Sequence, residues 1–273
     1  MELTRDNARI NYNISGNGDT VLLFVHGSYI DQTYWKAQVD YFSPHYTVVT
    51  FDLPGHGKSG RERAEWTLEG FADDVTYVIK ELNLKNVILI GHSMGGDINL
   101  IAATSHPEHI IGFIAIDIFK NAATPLPPEY QQQVATIKEN LQKDFVKTNE
   151  EYARKMLVTQ QTPQEVTDRV MSDYRNAYEP MGLDITPQIF ELYKTEQALL
   201  PQLKFKLHLI NTDYMPTNEE PLRKYAGSGY EVHHMKGTSH YPMIENPDEL
   251  NKQLQLAIDP ITAEKNNILL QEK

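Results

Sequence analysis

Six short runs of aliphatic and β-branched residues recur along this chain: "VLLFVH" (21–26), "YTVVTFD" (46–52), "NVILIG" (86–91), "IIGFIAID" (110–117), "KLHLIN" (206–211) and "YEVHHMK" (230–236). Most are apolar at consecutive positions rather than at every second one, the pattern of strands covered on both faces. Helical patterns fall between them at "TYWKAQVDYF" (33–42), "TLEGFADDVTYVIKEL" (67–82), "SMGGDINLIAATS" (93–105) and "TNEEPLRKYAG" (217–227). Strands alternating with helices require right-handed crossovers, so the expected fold class is α/β, a mostly parallel central sheet flanked by helices. Short strands at the start of the chain, separated by Asp6-Asn7 and by "SGNGD" (15–19), suit an antiparallel entry. Glycine-rich "ISGNGD" (14–19) lacks the lysine and spacing of a phosphate loop and is read as a hairpin turn.

Residues 119–200 interrupt the alternation. Four stretches there, "PPEYQQQVATIKENLQKDFVK" (127–147), "NEEYARKMLVTQ" (149–160), "TPQEVTDRVMSDYRNAY" (162–178) and "TPQIFELYKTEQALL" (186–200), read as amphipathic helices. The chain therefore divides into a core of residues 1–118 and 201–273 and a helical cap of residues 119–200. Ligands of open α/β sheets sit at the carboxyl ends of the strands. An insertion that follows the strand ending at Asp117 is expected to lie over that end as a lid, and the polar tail 259–273 is expected to be loosely held.

Composition removes several classes of function. The formal charge of −12 repels polyanions, and with no basic cluster a nucleic-acid partner or an anionic membrane surface is not expected. The absence of cysteine excludes disulfides, thiolate nucleophiles and Cys-ligated metal. "MELTRDNARINYNISG" (1–16) has neither a basic n-region nor an apolar h-region, and no window approaches the ~18 apolar residues of a membrane span, so a soluble, cytoplasmic protein is expected. Neighbouring His233 and His234 on a strand point to opposite faces and no H-E-x-x-H occurs; no metal and no cofactor is expected.

The chemistry concentrates in "NVILIGHSMGGDINLIAA" (86–103), where Gly91-His92-Ser93-Met94-Gly95 fits G-x-S-x-G between a predicted strand and a predicted helix. In that context the serine sits on a tight, strained turn that exposes its hydroxyl at the strand end. The turn also aims the Met94 N–H and the positive helix terminus at an approaching oxygen. Serine needs a base within hydrogen-bond reach and a carboxylate to fix the base's tautomer. His240, in "KGTSHYPMIENPDEL" (236–250) after the last predicted strand, stands where the order Ser, Asp, His puts the base. Asp213, just beyond the penultimate strand, is the acid favoured by chain order, and Asp117 is a rival carboxylate. The loop "FVHGSYI" (24–30) supplies Ser28 as the second oxyanion donor, with His26 and Gly27 shaping the loop. Tyr29, Trp35, Phe119, Tyr214 and Tyr241, with Met94, flank these positions as a candidate substrate pocket.

"HGS" (26–28), "FDLPGHGKSG" (51–60), "GHSMGG" (91–96) and "GTSHYPMIENP" (237–247) together resemble the α/β-hydrolase superfamily, in particular its lid-bearing esterases, non-haem haloperoxidases and carbon–carbon-bond hydrolases. The resemblance covers nearly all of residues 1–258 and implies that Asp52, His56 and Ser59 are scaffold. A serine at position 93, where epoxide hydrolases and haloalkane dehalogenases of the superfamily carry aspartate, argues against both. The chain departs from the family at "INTDYMP" (210–216), where relatives show a Gly-rich, doubly acidic loop, and at Asp97, where a small apolar residue is usual. The expected activity is cleavage of a small, moderately apolar carboxylic ester through an acyl-enzyme, the partner being that small-molecule substrate, with neither nucleic acid nor membrane. Carbon–carbon bond hydrolysis or perhydrolysis by the same residues is the first alternative, and a ligand-sensing receptor that signals through its lid is the second.

Overall fold

The computed structural model describes residues 1–271, with side chains described through residue 265. Strands β1 (Glu2–Arg5), β2 (Ala8–Ser15), β3 (Val21–Val25), β4 (Thr47–Phe51), β5 (Val87–His92), β6 (Ile110–Ile116), β7 (Leu207–Thr212) and β8 (Tyr230–Met235) form one sheet in the order β1-β2-β4-β3-β5-β6-β7-β8. β1 and β2 pair antiparallel, β2 runs antiparallel to β4, and β3 to β8 are parallel. The helices are α1 (Lys36–Phe42), α2 (Leu68–Glu81), α3 (Met94–Ser105), α4 (Pro128–Lys143), α5 (Phe145–Met156), α6 (Gln164–Arg175), α7 (Glu179–Ile189), α8 (Tyr193–Leu199), α9 (Glu220–Tyr225), α10 (Pro242–Glu245) and α11 (Pro247–Gln271).

Strand alternation distributes the continuous apolar runs between two core layers. Leu23, Val25, Val87 and Leu89 pack toward α2 and α3, while Leu22, Phe24, Ile88 and Ile90 pack toward α1 and α11 with Phe42, Leu254 and Ile258. Each central strand is thus buried on both sides, as its unbroken hydrophobicity requires. Every parallel strand ends at the same edge of the sheet, and five helices, α4 to α8, are inserted between β6 and β7 beside that edge. No helix among the described residues is long and apolar enough to cross a membrane.

Three local expectations are corrected. The turn at 15–19 is not a hairpin, because β4 lies between β2 and β3; the true hairpin is β1–β2, where Asp6 and Asn7 take φ of 49° and 63° as a type I′ turn requires. The insertion has five helices rather than four. Asp144 accepts the Lys147 N–H and starts α5 early, and Pro180 near the N-terminus of α7 starts that helix before Thr186-Pro187. The tail is not a loose end from residue 259 onward but continues α11 to Gln271; its last two residues lie outside the described ones.

Candidate active site

Ser93 caps α3 with φ 51° and ψ −127°, a region a β-carbon makes unfavourable. The turn is held there by its neighbours: the Ser93 N–H donates to the Ile116 carbonyl (3.0 Å) and the Gly96 N–H to the Ser93 carbonyl (2.7 Å). Its glycines are needed for contact. A β-carbon on Gly91 would lie 2.3 Å from the Gly95 carbonyl oxygen, and one on Gly95 would lie 2.4 Å from that of Val25. Closeness of this kind admits only glycine where strand, turn and helix meet.

His92, the residue before, has a separate task. Its Nε2–H donates to the His240 carbonyl at 2.7 Å, and the two rings lie 4.5 Å apart. Burial, followed by the proximity of His240, holds the His92 imidazole well below its ordinary pKa, so it is neutral and its tautomer is set by that bond. The histidine of the elbow therefore anchors the loop that carries His240. The same loop is tied to the insertion, because the His240 N–H donates to the Leu157 carbonyl at the end of α5 (3.1 Å).

The carboxylate on His240 is Asp117, not Asp213. His240 Nδ1–H donates to Asp117 Oδ2 at 2.6 Å, leaving Nε2 as the free acceptor. Asp117 follows the end of β6 with φ 51°, a left-handed conformation Asp tolerates. Its Oδ1 accepts from the Thr212 N–H (3.0 Å), the Thr212 hydroxyl (2.6 Å) and the Lys120 ammonium (2.7 Å). Burial alone would raise this carboxyl, but the hydrogen bonds and charges of His240 and Lys120 outweigh it and hold Asp117 well below the usual carboxylate range. Asp213 is exposed and, among the described residues, accepts only the Gly237 N–H (3.0 Å), because β7 ends one residue earlier and Thr212 is the residue that faces Asp117. Lys120, which sequence reasoning missed, also donates to the Thr212 carbonyl (2.9 Å) and lies 4.1 Å from the centre of the Tyr214 ring.

Ser28, in the loop after β3, and Met94, at the start of α3, flank Ser93. Neither backbone N–H has an acceptor among the described residues, and the Ser28 hydroxyl meets the Met94 sulfur at 3.5 Å. A β-carbon on Gly27 would stand 2.7 Å from His92 Nδ1 and 3.1 Å from the Ser93 β-carbon, so Gly27 lets this loop reach the elbow. His26 accepts the Leu53 N–H at Nε2 (3.0 Å), and Asp52 accepts the N–H groups of Gln32 (2.9 Å) and Lys58 (2.8 Å). The Ser59 hydroxyl donates to the Asp52 carbonyl (2.6 Å), and buried His56 packs edge-on against His26.

Two cavities between the sheet edge and the insertion meet at Ser93. One, of 60 Å³, is lined by Ser28, Tyr29, Asn149, Tyr152 and Tyr174; the other, of 330 Å³, by Met94, Asp97, Ile118, Tyr130, Met156 and Glu196. Ile137, Tyr152, Ile189 and Phe190, all from the insertion, border both. Of the aromatic residues proposed as pocket, Tyr29 lines the smaller cavity and bonds Thr186 of α7 at 2.6 Å. Trp35 is buried against Phe24 and His92, Phe119 against Phe113, and Tyr241 against His92 and His240, so these three are core. Tyr214 sits beside His240 instead, its hydroxyl 3.3 Å from His240 Nδ1. One trio of potential metal ligands stands among the described residues, His208, Glu231 and His233 on β7 and β8, but Lys206 occupies Glu231 at 2.6 Å.

A family model described as alpha/beta hydrolase fold matches residues 20–187. An (E)-2-((N-methylformamido)methylene)succinate hydrolase of Acinetobacter baylyi is 37% identical over 103 residues, 38% of this chain and 39% of its own. A strigolactone esterase of Arabidopsis thaliana is 31% identical over 103 residues, 36% of this chain and 39% of its own. The matched stretches thus span about two fifths of these relatives. Among solved structures, a thermophilic esterase from Thermogutta terrifontis superimposes with a TM-score of 0.78 at 22% identity, covering 93% of this chain and 94% of that one. A bromoperoxidase from Bacillus anthracis does so with 0.76 at 19% identity, over 92% and 96%. At these identities the two superpositions show a shared fold.

Proposed function

Given that this chain belongs to the alpha/beta hydrolase fold family, we propose that it is a serine hydrolase that cleaves a carboxylic ester through an acyl-enzyme. The observation that carries the reading is the 2.6 Å bond from His240 Nδ1–H to Asp117, which makes Nε2 the accepting nitrogen of the neutral ring, on a loop that His92 pins beside the elbow. His240 Nε2 takes the Ser93 proton as Oγ attacks the ester carbonyl, and the N–H groups of Ser28 and Met94 hold the oxyanion. Collapse of the tetrahedral adduct expels the alkoxide, which receives the proton from Nε2. Water, deprotonated by the same nitrogen, then releases the acid and restores Ser93. Ser93 Oγ makes no hydrogen bond among the described residues, so the Oγ–Nε2 bond is one that closes as substrate binds.

The insertion serves as the lid of this site: its residues border both cavities, and it holds the His240 loop through Leu157. The names of the two relatives, a hydrolase and an esterase, agree with bond hydrolysis at such a centre. The test is labelling with a fluorophosphonate, comparing the protein with Ser93→Ala, followed by a panel of short-chain and aryl esters alongside a vinylogous diketone. Stoichiometric labelling abolished by Ser93→Ala and turnover of the esters are expected. Folded protein that stays unlabelled overturns the reading.

A further inference from the structure

Asp97 is the family departure that the proposed reaction leaves unused. It lies on α3 four residues after Ser93, is fully buried, and neither of its carboxyl oxygens accepts from an N–H or hydroxyl of another residue among the described residues; the group it meets is the Glu196 carboxyl. Across from it stands Glu196 of α8, 7% exposed, whose Oε2 accepts the Ala123 N–H. Neither carboxyl is in an ion pair among the described residues; the nearby Lys120 is engaged by Asp117 and Thr212. Both acids line the 330 Å³ cavity that opens onto Ser93, and the rest of its wall is largely apolar, with Ile118, Met156 and Leu192.

Two carboxyl groups in such a place share a proton, since like charges this close cannot both ionise. Burial, and then the charge of Glu196, push Asp97 well above the usual carboxyl range, and burial raises Glu196. The pair is left with a buried negative charge, a state that is costly unless a cation or several donors meet it. Within the protein the Ala123 N–H is the one such donor described. The Asp97 oxygens are sealed and Glu196 keeps the residual exposure, so the pair meets the cavity through Glu196 and the missing countercharge would come from whatever fills the space beside it.

We propose that Asp97 and Glu196 form a cation subsite, and that the substrate cleaved at Ser93 carries a protonated amine on the side that enters this cavity. The proposal rests on the serine-hydrolase reading for its link to catalysis and goes beyond it in naming the substrate class. Residues four apart on a helix are separated by about 6 Å, so the amine stands a few bonds from the scissile carbonyl. The apolar wall accepts the methylene groups between them.

The experiment compares two isosteric pairs that differ in charge. 2-(Dimethylamino)ethyl butanoate is set against 3-methylbutyl butanoate, and the p-nitrophenyl ester of 4-(dimethylamino)butanoic acid against that of 5-methylhexanoic acid, so that the amine enters from the alcohol or the acyl side. In the protein as it exists, kcat/KM for the cationic member of one pair is expected to exceed that of its isostere by at least tenfold. In Asp97→Asn and in Glu196→Gln that ratio is expected to fall toward unity; the ratio is taken within each variant, so a general loss of activity cancels. Equal rates for both pairs, or a preference that survives in both variants, overturn the proposal. If no ester is turned over at all, the serine-hydrolase reading is what fails. Calorimetric titration with butylammonium then decides the subsite alone, saturable binding that Asp97→Asn abolishes supporting it and no binding refuting it.

Discussion

Replacing Asp117 by Asn keeps the shape of the acid and inverts its hydrogen bonding, and the structure fixes which way the amide must lie. Three donors, the Thr212 N–H, the Thr212 hydroxyl and the Lys120 ammonium, converge on Oδ1. The amide oxygen must stay with them, so the NH₂ takes the place of Oδ2 and faces His240 Nδ1, 2.6 Å away in the native protein. Two N–H groups cannot share that contact, and the imidazole is driven to the tautomer protonated on Nε2. That tautomer cannot accept the Ser93 proton. In Ser-His-Asp systems this change costs about 10⁴ in kcat, and we expect a similar loss here, equivalent to about 5.5 kcal/mol at 1.36 kcal/mol per decade. Asp213→Asn, by contrast, removes an exposed acceptor of one backbone N–H and should change kcat less than about threefold. Asp117→Asn also leaves the half-buried Lys120 ammonium without its counter-ion, a cost of roughly 1–3 kcal/mol in stability. Adding Lys120→Met should therefore recover much of the melting temperature without recovering activity. The assay is steady-state hydrolysis of p-nitrophenyl butanoate together with the rate of fluorophosphonate labelling, on variants whose folding is checked by thermal unfolding. Loss of activity in Asp213→Asn, or an Asp117→Asn protein with more than a tenth of native kcat, would refute the assignment of Asp117.

Other perturbations probe the supports of the site. His92→Leu removes the donor to the His240 carbonyl, and should lower kcat about tenfold with KM little changed while costing about 1–3 kcal/mol for the orphaned buried carbonyl; a fall in KM alone would contradict an anchoring role. His26 and His92 are held below their ordinary pKa by burial, as are His56, lowered to about 3, and His208, lowered to about 4. An unfolded chain binds protons at these positions near pH 6.5 and the folded one does not, so stability present above pH 6.5 is lost as the pH falls. Each of these histidines adds up to about 1.4 kcal/mol per pH unit to that loss, and the four carboxyls raised by burial, Asp74, Asp97, Asp173 and Glu196, oppose it near pH 5; His56→Gln should therefore shift the urea midpoint differently at pH 5 and at pH 7, and equal shifts would exclude the histidine share. Asp97 has the opposite sign: its folded pKa is raised, so its penalty grows as the pH rises above about 4, and Asp97→Asn should raise the melting temperature at pH 7.5 far more than at pH 4.

How much of this was legible in the residues depended on how local each signal was. The six parallel strands fall within a residue or two of the apolar runs, because a strand buried on both faces needs nothing beyond its own hydrophobicity to announce it. The elbow was equally local: Gly91, Ser93 and Gly95 are forced by contacts within one turn. The acid was not. Chain order points to the loop after β7, whereas the choice between Asp117 and Asp213 is made by which strand end faces His240 across the sheet, a relation between segments more than 90 residues apart. One sign was present, since "INTDYMP" lacks the usual acidic loop and "IIGFIAID" ends an apolar run on a carboxylate. Aromatic residues next to the catalytic positions were poor guides to the pocket, because neighbours in sequence on a strand-end loop point as often into the core as into the site. Trp35, Phe119 and Tyr241 all do the former. The residues that do border the cavities, Ile137, Ile189 and Phe190 among them, come from helices whose amphipathic pattern cannot tell a cavity wall from a packing face.

An acid at the end of β6 rather than β7 has a physical consequence for the whole site. β6 lies between β5 and β7, so Asp117 is one strand away from the elbow, and the Ser93 N–H bonds the carbonyl of Ile116, the residue before the acid. The segments that carry the proposed nucleophile and acid are thereby joined by a direct backbone bond instead of through an intervening strand. Reaching His240 from that position requires the chain to reverse sharply, which it does through positive φ at both Asp117 and Phe119. The place that an acid after β7 would occupy is not idle: Thr212 fills it with two donors that point at Asp117, and Lys120 adds a charge from the same turn. Donors of this number make the Asp117 carboxylate more stable and less basic, so it orients the imidazole without competing for its proton. In that arrangement the strain of the left-handed residues and the half-buried Lys120 are coupled costs, and relieving either one alone should disturb the other.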